Sequence, residues 1–155
     1  MATILIVESN LFLGGILSQR LVKEGYEVLT TKDGKEGLRL IIDKHPQLVF
    51  LDLPIGNVKT FLGVLRTLHR KFWVTFPPII VLSDVEKEGD PKQISELGVQ
   101  AYLVKAYTEI DEMIFKVKEI LESNLASKSG DISPHIPSQP LVTEQKRIKA
   151  EIDKM

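Results

Sequence analysis

The feature that most constrains this chain is a series of five short apolar runs, each followed by a stretch with the spacing of a helix. Four of the runs are almost continuously apolar, as strands buried on both faces of a parallel sheet are. The run Glu27–Thr30 is the most polar, so we expect it at an edge of the sheet. The five runs are Thr3–Val7, Glu27–Thr30, Leu48–Leu51, Pro78–Leu82 and Ala101–Val104.

Apolar residues recur every three or four positions in the stretches between the runs, which is typical of helices with one face against a core. Stripes run from Leu13 to Leu21, from Leu38 to Ile42, from Phe61 to Leu68, through Ile94 and Leu97, and from Ile110 to Leu121. Gly25 and Gly98 follow two stripes as stop signals, and Pro46 follows a third. Gly14 and Gly15 are interpreted as a tolerated weak start of the first helix.

Five repeats of strand then helix predict an α/β fold. Right-handed crossovers between the strands give a five-stranded, parallel, doubly wound sheet with helices on both faces. Sheets of this class bind their ligands at the carboxyl ends of the strands. The residues that end each run are therefore the first candidates for a functional site.

The predicted strand ends carry acids, a hydroxyl and an amine. They are Glu8-Ser9, Asp52, Ser83-Asp84 and Lys105. An aspartate carboxylate can attack a phosphoryl group, while a lysine and a hydroxyl can bind the phosphoryl oxygens. A second acid can hold Mg²⁺, which neutralises charge on both reactants. This combination predicts a phosphoryl-transfer site.

Several segments resemble the receiver domains of two-component response regulators. The similarity extends over residues 1 to about 123 and implies a flavodoxin-like arrangement of the sheet. It rests on Ile4–Glu8, Gly25–Val28, Asp33–Leu38, Pro46–Asp52, Pro78–Ser83 and Tyr102–Lys105.

The resemblance implies a role in phosphorelay signal transduction. Asp52 would accept a phosphoryl group from a histidine kinase or a phosphotransfer protein. Ser83 and Lys105 would contact the phosphoryl oxygens, and Tyr102 would turn inward when the hydroxyl moves. The response would be a changed binding surface for a downstream protein target.

The resemblance also implies a Mg²⁺ site formed by Glu8, Asp52 and the backbone carbonyl of Pro54. The second acid of the family is replaced by Ser9, and a hydroxyl is a poorer ligand than a carboxylate for a hard cation. We therefore expect weakened Mg²⁺ binding. Asp84 occupies the place of a small residue, where its carboxylate either repels a phosphoryl group, points into solvent or replaces the lost ligand.

The departures from the family pattern leave two functional hypotheses open. Ala106 follows Lys105 where the family has proline, so the bond between them is expected to be trans. In the first hypothesis the chain is a receiver phosphorylated at Asp52. In the second it is a degenerate receiver that binds a partner without phosphorylation. An enzyme such as a phosphohydrolase is not expected, because Asp52-Leu53-Pro54 offers no general acid.

Composition divides the chain into three parts. We predict a receiver domain over residues 1–124, a flexible linker rich in serine and proline over 125–141, and a short charged helix or tail over 142–155. A free helix of about 14 residues is marginal in water. To be stable, such a helix would need to pack its thin apolar stripe against a partner protein, a dimer mate or the receiver itself.

Charge and residue usage exclude other classes of function. The 155 residues carry a net charge of −1, which gives no global basic field for nucleic acid, and no DNA-reading module fits after the linker. The sequence has no cysteine, which rules out disulfides and thiolate metal sites. No stretch reaches the ~20 apolar residues of a membrane helix, and no signal peptide is evident, so a cytoplasmic location is expected.

Overall fold

A single parallel sheet forms the centre of the protein, in a computed structural model that describes residues 1–9, 11–83, 97–129 and 142–154. Its strands lie in the order β2-β1-β3-β4-β5, so the polar strand β2 is at an edge, as predicted. The five predicted runs are confirmed to within one residue at each end. They become β1 (Thr3–Glu8), β2 (Glu27–Thr31), β3 (Leu48–Asp52), β4 (Ile79–Ser83) and β5 (Ala101–Val104).

Helices cover both faces of the sheet, which confirms the predicted α/β class and the flavodoxin-like order. The predicted stripe through Ile94 and Leu97 lies mainly outside the described residues. Within the described ranges, no helix combines the length and hydropathy needed to cross a bilayer. The helices are α1 (Leu11–Lys23), α2 (Gly34–Lys44), α3 (Ile55–Phe72), α4 (Ile110–Ser129) and α5 (Val142–Asp153), and a 3₁₀ turn spans Lys105–Tyr107.

Strand β1 contributes side chains to two hydrophobic cores, one on each face of the sheet. Successive side chains of a strand point to opposite faces. Leu5 and Val7 therefore enter a first core beneath α2, α3 and α5, while Ile4 and Ile6 enter a second beneath α1 and α4. All five residues of β3 and of β4 are buried. Polar side chains of the central strands can consequently lie only where the strands end.

Two helices form the described C-terminal part of the chain. Helix α4 continues to Ser129, five residues beyond the predicted boundary at 124, because each added residue of a helix gains a hydrogen bond and no proline interrupts before Pro134. Residues 130–141 of the predicted linker lie outside the described residues. The predicted charged segment forms α5, which packs against α2 and α3. The sequence left open whether a partner protein, a second copy of the chain or the receiver part itself packs against the apolar stripe of this segment. In the structure, the receiver part does so.

Gly37 on α2 permits a close approach between this helix and the sheet. A Cβ atom at Gly37 would lie 2.7 Å from Cγ2 of Val7 and 3.3 Å from Cε2 of Phe61. Gly63 on α3 offers the opposite environment, because a Cβ atom there would meet no atom within 4 Å. Alanine substitutions at the two glycines therefore distinguish the packing cost of an added methyl group from its favourable effect on helix propensity.

We expect Gly37→Ala to lower the free energy of unfolding by about 1–2 kcal/mol, because overpacking against Val7 outweighs the gain in helix propensity. The matched control Gly63→Ala should raise the same free energy by about 0.5–1 kcal/mol, since only the gain in propensity remains. Urea denaturation followed by circular dichroism measures both. Equal effects of the two substitutions would contradict the close approach at Gly37.

Candidate functional site

Three polar side chains are buried at the carboxyl ends of neighbouring strands. Glu8 ends β1, Asp52 ends β3 and Ser83 ends β4, with exposed fractions of 3%, 3% and 2%. The register of β1 and β3 places Glu8 directly beside Asp52. Among the described residues these three are the buried residues with polar or charged side chains, and burial of such groups requires compensating contacts.

Lys105 supplies the compensating positive charge. It begins the 3₁₀ turn after β5, and its Nζ atom contacts Oδ2 of Asp52 and lies 3.8 Å from Oε1 of Glu8. Only 12% of its side chain is exposed, so the interaction is weakly screened by water. Two carboxylates share one ammonium. Without it, two adjacent buried carboxylates would repel each other.

Ser9 joins the turn after β1 to the end of β3. Its Oγ hydroxyl donates to the backbone carbonyl of Asp52 at 3.2 Å, and its backbone N–H donates to the same oxygen, also at 3.2 Å. The hydroxyl that replaces the second acid of the family is therefore engaged with backbone. Its contribution here is to hold the end of β3 in place.

Pro54 caps the start of α3 with its backbone carbonyl. This oxygen accepts the N–H of Asn57 at 2.9 Å and that of Val58 at 3.0 Å, both in the first turn of the helix. A carbonyl oxygen has two lone pairs, and these bonds engage both of them. The predicted role of Pro54 as a metal ligand stays a prediction, and a bound cation would compete with the start of α3.

The remaining donors fit a weakly held divalent cation. Glu8 and Asp52 offer hard carboxylate oxygens, and Mg²⁺ in proteins is commonly bound through one or two carboxylates with water completing the shell. In the part of the chain that the structure describes, no group of three or more histidines and acids could hold a metal. The ammonium of Lys105 contacts the same carboxylate oxygens, so it opposes a cation bound there.

Tyr102 points toward the first core. Its ring packs against that cluster, and its hydroxyl oxygen is buried with no hydrogen-bond partner among the described residues. The switching role that the resemblance implies for this ring stays a prediction. Asp84, the remaining candidate, lies outside the described residues. The peptide bond between Lys105 and Ala106 is trans, as predicted.

Gly14 contributes to the site in a way that the sequence interpretation missed. A Cβ atom at Gly14 would lie 2.8 Å from Cγ of Glu8, so the glycine makes room for the buried acid beneath α1. A groove of about 560 Å³ opens beside it, with Gly15, Thr31 and Lys32 among its lining residues.

We expect Lys105→Met to lower the free energy of unfolding by about 3 kcal/mol, because it leaves two buried carboxylates without their shared cation. Adding Asp52→Asn to this variant should restore part of the loss, since one carboxylate then remains. Lys116→Met is the matched control, because the pair that Lys116 makes with Glu119 at 3.5 Å is accessible to solvent, and it should change stability by less than about 0.5 kcal/mol. Additive effects of the two site substitutions in denaturant titrations would contradict this coupling.

Comparison with known proteins places these features in one family. Residues 4–118 match the family model described as the response regulator receiver domain. Structures with a similar fold include a two-component response regulator from Clostridium difficile, with a TM-score of 0.65, 23% identity, and coverage of 79% of this chain and 97% of that one. The receiver domain of Francisella response regulator 1452 has a TM-score of 0.68 and 21% identity, covering 80% of this chain and 99% of that one.

A third similar structure belongs to a family of redox sensors in the streptococci that evolved from two-component response regulators. It has a TM-score of 0.69 and 20% identity, and the match covers 88% of this chain. The chain spans only 58% of the length of that protein. At these identities the structures support the fold, and the family model covers most of the chain. The protein therefore belongs to the response regulator receiver domain family.

Proposed function

We propose that this chain is a signalling receiver that accepts a phosphoryl group on Asp52 from a phosphohistidine of a kinase or phosphotransfer protein. The observation that carries the proposal is the pairing of the buried Asp52 carboxylate with the ammonium of Lys105 at the strand ends. A carboxylate oxygen attacks phosphorus, the bond from phosphorus to the imidazole nitrogen breaks, and the imidazole leaves.

Charge compensation follows from the same residues. Lys105 exchanges part of its contact with Asp52 for the incoming phosphoryl oxygens, and the Ser83 hydroxyl at the end of β4 binds another of them. Mg²⁺, held by Glu8 and Asp52 when it binds, would neutralise further negative charge. Transfer to Asp52 alone makes the chain a phosphoprotein and not an enzyme acting on a separate substrate.

The face formed by β5 and α4 is the proposed binding surface for a downstream protein target. Tyr102 lies on β5, which pairs with the strand β4 that carries Ser83, and its ring packs against the first core. Phe115 on α4 and Tyr107 in the 3₁₀ turn are 68% and 69% exposed, and exposed aromatic side chains are enriched where proteins bind one another. Movement of Ser83 on phosphorylation would change the position available to Tyr102, and with it this face.

A phosphorylation-independent binding module is the second candidate, and two observations favour it. The Ser9 hydroxyl is bonded to the Asp52 carbonyl, and the Pro54 carbonyl is engaged by α3, so two positions of the family's metal site are occupied by internal bonds. The streptococcal redox sensors are receiver relatives with another sensing role. Thiol-based redox sensing is not available within these 155 residues, because they contain no cysteine.

Incubation with Mg²⁺ and a small acyl phosphate tests the proposal. Intact mass spectrometry should detect the gain of one phosphoryl group, and Asp52→Asn should abolish it because the nucleophile is lost. The matched control Asp33→Asn keeps the side-chain oxygen that caps α2 and should be modified like the unaltered chain. Absence of any mass gain, whichever donor and divalent cation are used, would reject phosphorylation in favour of the binding module.

We expect Ser9→Asp to strengthen Mg²⁺ binding by about tenfold or more, since a third carboxylate joins Glu8 and Asp52. Calorimetric titration of the folded protein measures the affinity. Thr75→Asp adds the same charge at an exposed position in the connection between α3 and β4, and should leave the affinity within about twofold. Similar gains from both substitutions would show that the added charge acts at long range and not as a ligand.

A further inference from the structure

Helix α5 occupies a groove between α2 and α3. Its residues Ile148 and Ile152 are four positions apart, so they share one face of the helix, and both are fully buried in the first core. The helix has 12 residues, a length that is marginal for an isolated helix in water. The contact with α2 and α3 is therefore what holds α5 in helical form.

Complementary charges surround the two isoleucines. Two residues of α5 pair with α2: Asp153 contacts Arg39, and Lys149 lies 3.8 Å from Asp43. A third residue of α5, Glu151, lies 3.3 Å from Lys71 on α3. The ammonium of Lys71 lowers the pKa of the Glu151 carboxyl, and the hydrogen bond to Asp153 raises the pKa of the Arg39 guanidinium. Exposed pairs such as these add little affinity, but they fix the register and direction of a docked helix.

The groove lies away from the phosphoryl-acceptor site. Helices α2 and α3 begin at the carboxyl edge of the sheet and run back toward the amino edge. The contacts of α5 fall at the middle and the end of α2, at Arg39 and Asp43, and near the end of α3, at Lys71. Helix α5 consequently covers neither Asp52 nor the face formed by β5 and α4.

We propose that the groove between α2 and α3 is a helix-binding surface whose resident ligand is α5 of the same chain, and that α5 leaves it as a unit. The surface then accepts a partner helix of the same chemistry, with two aliphatic residues four positions apart and the same flanking charges. Because α5 belongs to the same chain, it competes with a partner helix as an intramolecular ligand. To bind, a partner helix needs either a higher affinity for the groove than the resident α5 or a chain in which α5 has already left the groove.

Cross-linking tests whether α5 docks within its own chain. The chain has no cysteine, so Arg39→Cys and Asp153→Cys introduce a unique pair for a short bis-maleimide. The proposal predicts an internally linked monomer on a denaturing gel. A linked dimer would mean that a second copy fills the groove, and no link would mean that α5 does not dock; either result overturns the proposal. The control pair Lys118→Cys and Asp153→Cys, on opposite faces of the sheet, should not link.

Peptide binding tests whether α5 is a replaceable ligand. A fluorescent peptide of residues 142–154 should bind the full chain carrying Ile148→Asp and Ile152→Asp, and bind the unaltered chain at least about tenfold more weakly, because the tethered helix competes. A peptide with both isoleucines replaced by aspartate is the control and should bind neither chain. If the double variant has a folded circular dichroism spectrum and fails to bind the peptide, α5 is a fixed layer of the core and the proposal is wrong.

If the double isoleucine variant does not fold, charge reversal tests whether α5 binds the groove in the proposed register. In the full chain, Arg39→Asp removes the partner of Asp153 at an exposed position and should leave the fold intact. The proposal predicts that this chain binds a peptide carrying Asp153→Arg more tightly than the unaltered peptide, and that the unaltered chain has the reverse preference. The same order of affinity for both chains would overturn the docking register on which the proposal rests.

Discussion

Burial of the central strands on both faces determines where chemistry can occur in this molecule. Side chains of β3 and β4 enter one core or the other along their whole length, so a charged group can be placed only where a strand ends. The parallel arrangement brings those ends to one edge. Glu8, Asp52 and Ser83 lie there together because three neighbouring strands end at the same edge of the sheet, and the turn after β5 brings Lys105 to Glu8 and Asp52.

The cost of gathering these groups explains the internal bonds around them. Two carboxylates beside each other at the end of a sheet are unfavourable, and the Lys105 ammonium offsets part of that repulsion. Ser9 adds no third negative charge and instead ties the β1 turn to the Asp52 carbonyl. A serine in place of the acid expected from the family pattern thus lowers the electrostatic cost of the folded site. Stability and metal affinity are set against each other at this one position.

The sequence predicted the elements whose signals are local. Continuous apolar runs identified the strands, Gly25 and Pro46 marked helix ends, and the strand-ending residues indicated which polar groups meet at one edge of the sheet. Features that depend on contacts between distant residues were not predictable in this way. The close approach of Gly14 to Glu8 needs the position of α1 above β1, and the use of the Pro54 carbonyl needs the early start of α3. The extension of α4 to Ser129 reflects weak boundary signals in a stretch of ordinary helix formers.

Helix α5 shows most clearly where local signals end. Its stripe of two isoleucines among charged residues predicts an amphipathic helix but contains no information about the surface that it covers. That surface is specified jointly by Arg39, Asp43 and Lys71, which are separated from α5 by more than seventy residues of sequence. On α2 and α3 alone these charges look like ordinary solvated positions. A docking groove built from such residues is recognisable only with its ligand in place, and the tethered α5 supplies that ligand.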